Sequence, residues 1–128
     1  MGQTITETIV VKQLVVGDNV RTENAKPTTG VAYLRGDLVL VDENNKVVHP
    51  TFTGDVLSDW NAVSVADFSM EQSTYHATNN LEMPLYVQGV FDVAVVTVKG
   101  VALTAAQMDS VRAQALKNKI ELRKVVGN

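Results

Sequence analysis

The sequence predicts a mostly β protein of the α+β class. One C-terminal helix followed by a last strand closes the chain, and an extended N-terminal β arm leads it. Three observations carry this expectation. Short β-branched and apolar runs recur along the chain, separated by Gly, Pro, Asn and Asp, residues that punctuate strands. Only one segment, Thr104 to Lys119, combines a helix-start signal with helical apolar spacing. The 128 residues, 45% hydrophobic and 20% charged, fit one globular body. Its core must be largely aliphatic, because the chain has only three Phe, three Tyr and one Trp.

The first element in order is "TITETIVVKQLVV", Thr4 to Val16. On an extended chain, Ile5, Glu7, Ile9, Val11, Gln13 and Val15 share one face. Thr4, Thr6, Thr8, Val10, Lys12, Leu14 and Val16 share the other. The second half is apolar on both faces, so the strand must be covered on both sides or paired with something. "GDNVRTENAKPTTG", Gly17 to Gly30, is polar with two glycines and a proline, and reads as a loop or linker. The expected division is residues 1–29 as arm and linker, and residues 30–128 as the body.

The body opens as a series of short strands. "VAYLRGDLVLVD" leads into the apolar run Leu38 to Val41. Asn44-Asn45 is the turn candidate, since Asn tolerates positive φ, and Lys46 to His49 returns the chain. "NAVSVADFSM" alternates Ala62, Ser64 and Ala66 against Val63, Val65 and Asp67, as a strand does, and "STYHATNN" reads as a polar loop. "MPLYVQGVFDVAVVT", Met83 to Thr97, is the longest strand signal. Pro84 suits a strand head, where no ladder donor is needed, and Gly89 suggests a bulge or a close backbone approach.

The helix starts at Thr104, with Gln107 three residues later completing a capping box. Met108, Val111 and Ala115 form its apolar stripe, with Ala105 and Leu116 beside it. Asn118 is the expected C-terminal cap. "IELRKVV" follows as the last strand, with Ile120 and Leu122 opposite Glu121 and Arg123.

Composition narrows the function classes. The absence of cysteine removes disulfides, thiolate metal sites and a Cys nucleophile. No apolar run approaches the roughly 20 residues of a membrane span. "MGQTITETIV" has neither the basic nor the apolar region of a signal peptide, so none is expected. The net charge of −3 is uneven: residues 1–29 are neutral, residues 30–110 carry −7 and residues 111–128 carry +4. An acidic body does not suit a nucleic-acid backbone, which needs clustered Lys and Arg. Neither nucleic acid nor membrane is an expected partner.

Chemistry-bearing residues are sparse. His49 and His76 are the only histidines, and neither has a neighbour at metal-pair spacing. "VDENNK" has Asp42, Glu43 and Asn44 but lacks the glycine and closing Glu of a Ca²⁺ loop. No phosphate cradle, nucleophile elbow or dinucleotide fingerprint occurs. No metal and no cofactor is expected. Asp92, inside the longest strand, has no sequence partner that would make it an acid or base, and reads as scaffold. Trp60, the only tryptophan, either closes the core or serves as an interface anchor.

Three blocks in order now resemble one family. They are "YLRGDLVLVD", "AVSVADFSM", and "PLYVQGVFDVAVV" followed by "LTAAQMDSVRAQALKNKIELR". Together they resemble the bacteriophage head decoration proteins of the lambda D type, over roughly residues 30–126. The resemblance implies a small β-sandwich or barrel-like domain that is not an enzyme. It implies a homotrimer on the outer surface of an expanded virion capsid, assembled in the host cytoplasm, with the major capsid protein as partner. The N-terminal arm would make that contact by adding a strand to a sheet edge, through Thr4, Ile5, Thr6, Glu7, Thr8, Ile9, Val10, Val11 and Leu14. The chain departs from the family in its long, strand-like N-terminal zone. Other readings stay open: a tail- or fibre-associated structural module, a small ligand-binding or hydrolytic β domain using His49 or His76, or a cytoplasmic binding module.

Overall fold

The computed structural model describes residues 13–125. Among these residues the fold is mostly β with two helices. Strand β7, Met83–Asp92, is the longest and the organising one. Its first half pairs antiparallel with β1, Arg21–Pro27, and with β6, Ala62–Ser64. Strand β2, Leu38–Val41, pairs with β6 and with β3, Lys46–Val48, and β3 pairs parallel with β1. Because β1 pairs with both β3 and β7, these five strands form a closed ring. The last strand, β10 (Ile120–Arg123), runs parallel to the second half of β7.

Local chemistry explains the turns. Between β2 and β3 the Asp42 carboxylate accepts from the Asn44 and Lys46 backbone N–H groups at 2.8 and 3.0 Å. Asn45 sits at φ 61°, the left-handed conformation that Asn tolerates. Two small hairpins stand off the ring. One joins β4, Phe52–Thr53, to β5, Val56–Leu57, and the other joins β8, Thr97–Val98, to β9, Val101–Ala102.

Strand alternation divides the core in two. Ala25, Val39, Val47, Ala62, Met83 and Leu85 come from all five ring strands and form one cluster with Tyr33. Leu38 and Val63, next to Val39 and Ala62 on their strands, point the other way, into a second cluster with Phe91, Leu57, Trp60, Val98, Leu103, Ile120 and Leu122. Helix α2, Ala105–Ala115, covers that cluster with Val111 and Ala115. All three residues of β6 are buried, which is why its alternation is of small against branched residues and not of polar against apolar.

Four expectations are corrected. The stretch Gly17 to Gly30 is not a plain linker, because Arg21–Pro27 is strand β1 of the ring. "One helix" becomes two: α1, Met70–Thr78, occupies the segment read as the end of a strand and a polar loop. It is capped by Ser69, whose Oγ accepts from the Gln72 N–H while the Gln72 side chain accepts from the Ser69 N–H. The strand expected over "NAVSVADFSM" therefore covers only Ala62–Ser64. At α2 the Thr104–Gln107 capping box is present, but the C-cap is Leu116. Asn118 donates instead to the Trp60 carbonyl at 3.1 Å. Leu116 does not join the helix's buried stripe, being 85% exposed.

At Gly89 the close approach is made by side chains and not by another backbone. At φ 147° it has a conformation that side-chain-bearing residues rarely adopt, and a Cβ there would meet Val20 Cγ1 at 2.9 Å and Phe91 Cζ at 3.1 Å.

Candidate functional site

The arm meets the body along β7. Val15 forms an antiparallel bridge with Phe91. The Asp92 N–H donates to the Leu14 carbonyl and the Val16 N–H donates to the Val90 carbonyl, both at 2.9 Å. On alternate residues β7 serves β10 instead: the Gly89 N–H donates to Lys119 and the Val93 N–H to Arg123, at 3.1 and 3.0 Å. The second half of β7 is thus flanked by β10 on one side and by residues 14–16 on the other.

Leu14 is 2% exposed and packs in the cluster with Phe91 and Val93. Burying such a side chain is worth about 2 kcal/mol. Leu14, expected in the capsid-binding arm, is thus packed into the core of the body. After Val16 the chain passes over Gly89, with Gly17 against Val90 and Val20 against Gly89 itself, and enters β1. Seven positions separate Val15 from Thr22 while five separate their partners Phe91 and Tyr86, so the crossing loops out two residues. Thr4, Ile5, Thr6, Glu7, Thr8, Ile9, Val10 and Val11 lie outside the described residues.

Trp60 is 4% exposed. Its indole N–H donates to Gln114 Oε1 at 3.1 Å, and Gln114 in turn donates to the Leu57 carbonyl. The ring closes the core and ties α2 to the loop before β6. An anchor must reach a partner's surface, and this side chain is enclosed by its own chain.

The buried carboxylates hold loops. Asp37 accepts from the Leu34 and Gly100 N–H groups, each at 2.9 Å, and from the Thr97 hydroxyl. It pins the β8–β9 hairpin to the entry of β2. Asp92 accepts from the Ala94 N–H at 2.9 Å, forming an Asx turn that ends β7. The histidines are engaged by backbone. His49 Nε2–H donates to the Ala32 carbonyl at 2.8 Å, with its ring 4.9 Å from that of Tyr33. His76 Nδ1–H donates to the Gln72 carbonyl at 2.9 Å, edge-on to Phe68. Among the described residues no three His, Asp or Glu side chains form a group able to hold a metal ion.

An open groove of about 890 Å³ lies between the end of α2, β10 and the middle of β7. Val90, Ala115, Leu116, Ile120 and Leu122 give it an apolar lining, while Arg112 and Lys119 are its cations. Arg112 is held in place by donating through Nε to the Leu122 carbonyl at 3.0 Å. The one acid in the lining, Glu121, is paired with Arg123 at 2.9 Å. That guanidinium holds the Glu121 carboxyl below its usual range. The sequence shows each of these residues but not their convergence. The only sequence signal for the groove was the cluster of five Lys and Arg after residue 110.

No protein-family model matches the chain, and no curated protein matches it.

Proposed function

We propose that the chain is a capsid decoration protein of the lambda D type. In this reading it binds the outer surface of an expanded phage head as a homotrimer and cements the shell against the pressure of packaged DNA. The observation that carries the reading is the root of the arm. Leu14 is buried and residues 14–16 are hydrogen-bonded to β7. The β-branched segment Thr4–Val11 begins directly ahead of this fixed point. A short apolar strand former on a firm root suits addition to another protein's sheet edge, where backbone bonds supply affinity and alternate side chains supply register. The ring of five strands supports a barrel-like body beneath it, and the ordered sequence blocks support the family. Three arms on one trimer would bind with avidity, because each later arm engages at high effective concentration.

The test is a deletion placed by the structure. Removing residues 2–12 leaves Leu14 in the core, whereas a cut at residue 17 would strip it out. The deletion variant should keep the thermal unfolding midpoint of the full chain and lose co-sedimentation with expanded, DNA-free heads of the source phage. Undiminished co-sedimentation would sink the arm's role.

A further inference from the structure

We propose that the groove between α2 and β10 docks a segment of a partner protein that carries apolar and acidic side chains together. The site is separate from the N-terminal arm, and the inference stands apart from the decoration reading.

The apolar part is a closed floor with an open rim. Ala115, Ile120 and Leu122 form the floor, each no more than 3% exposed. Leu116 stands at the rim, 85% exposed, with Val90 and Ala113 completing the lining. The charged part is positive. Arg112 and Lys119 line the same groove, and among the described residues neither makes an ion pair. Arg112 uses its Nε–H on the Leu122 carbonyl, which leaves the terminal N–H groups of its guanidinium fork. The nearby acids are engaged. Glu121 accepts from Arg123 twice, at 2.9 and 3.2 Å, while Arg112 acts on the same carboxylate from farther off. Asp109 pairs with Lys124 at 3.4 Å. The C-terminal end of a helix carries a partial negative charge of about half a unit. Here the Gln114 and Ala115 carbonyls accept from the Lys117 and Asn118 N–H groups, and two full cations outweigh what is left.

Charge complementarity therefore selects an anionic, apolar occupant. A small ligand typically buries roughly 70–90% of its surface in its site, which a groove open along its length does not offer. A nucleic-acid backbone would be repelled by a body whose residues 30–110 carry −7. A segment of protein needs no enclosure, and its carboxylates can reach the two cations while its apolar side chains lie on the rim. It is held by side chains and not as an added strand. The Lys119 and Arg123 carbonyls of the β10 segment are turned toward β7, so the Leu122 carbonyl faces the outer edge, where Arg112 occupies it.

The experiment is two-dimensional ¹⁵N NMR on the full chain with three probes: acetyl-Glu-Leu-Glu-Leu-Glu-amide, its counterpart with Lys in place of Glu, and octanoate. The acidic peptide at millimolar concentration should shift the backbone signals of Val90 and residues 112–122 saturably, and the basic peptide should not. Lys119→Glu and Leu116→Ser, both at exposed positions and checked for folding by circular dichroism, should each weaken the acidic peptide at least fivefold. No saturable shift, equal binding of the basic peptide, or variants that bind like the wild type would overturn the inference. Octanoate binding more tightly than the peptide overturns it as well, and assigns the groove to small amphiphiles. The same shifts on concentrating the protein alone overturn it in favour of a second copy. None of these outcomes involves residues 2–12, so the decoration reading stands or falls on its own test.

Discussion

Asp37 shows how a residue that looks chemical becomes structural. Its carboxylate is 1% exposed and takes three donors from two distant parts of the chain. Replacing it with Ala strands those donors, each costing on the order of 1 kcal/mol or more. Asp37→Ala should lose about 3 kcal/mol of unfolding free energy in urea titrations, and a loss below about 0.5 kcal/mol would contradict this role. Tyr33 gives a pH-dependent counterpart. Burial pushes its phenol above the ordinary value, partly offset by hydrogen bonds from Thr28. A raised folded pKa favours the protonated form in the native state. The resulting stability is whole below the unfolded value of about 10 and is lost as pH rises through the folded value. Tyr33→Phe should therefore show a smaller fall in urea midpoint between pH 8 and pH 11 than the wild type. Every other side chain is common to the two proteins, so the difference isolates Tyr33. An equal fall in the two proteins would refute the assignment.

At the scale of elements, legibility depended on whether a segment's own residues or its neighbours decided its structure. The α2 start was readable because Thr104 and Gln107 cap it locally. The β2–β3 turn was readable because Asn45 alone satisfies the positive φ. The end of α2 was not, because Asn118 is recruited by Trp60, 58 positions away in sequence. Strand β1 was invisible for a related reason. "RTENAKP" has little intrinsic strand character, with Arg21 to Asn24 exposed and only Ala25 and Pro27 buried. Pairing with both β7 and β3 imposes its conformation. Helix α1 did carry a readable signal, Ser69-x-x-Gln72, but its short polar sequence gives it little apolar periodicity to go with the cap. That cap should matter: Ser69→Ala should cost about 1 kcal/mol, read as a lower urea midpoint. No change would show that α1 is held by its packing on β1 alone.

Across the whole molecule, the ring of strands places two features on a common support. β7 holds residues 14–16 through residues 90–92 and, through Gly89 and Val90, forms part of the groove wall. The site residues named from sequence divide accordingly. Leu14 and Trp60 prove to be core, while Thr4 to Val11 lie beyond the described residues. The groove was not legible, because its walls come from segments about thirty positions apart that only the β7–β10 pairing brings together. In the decoration reading proposed above, the segment ahead of Leu14 would reach the capsid lattice from this support. The most direct measurement is a cryo-electron-microscopy reconstruction of expanded, DNA-free phage heads, from the phage that the proposed reading implies as source, after incubation with the full-length protein. The account predicts trimeric density on the outer surface at three-fold and quasi-three-fold positions, with an added strand from each arm on the capsid protein. A bare lattice at saturating protein would contradict it.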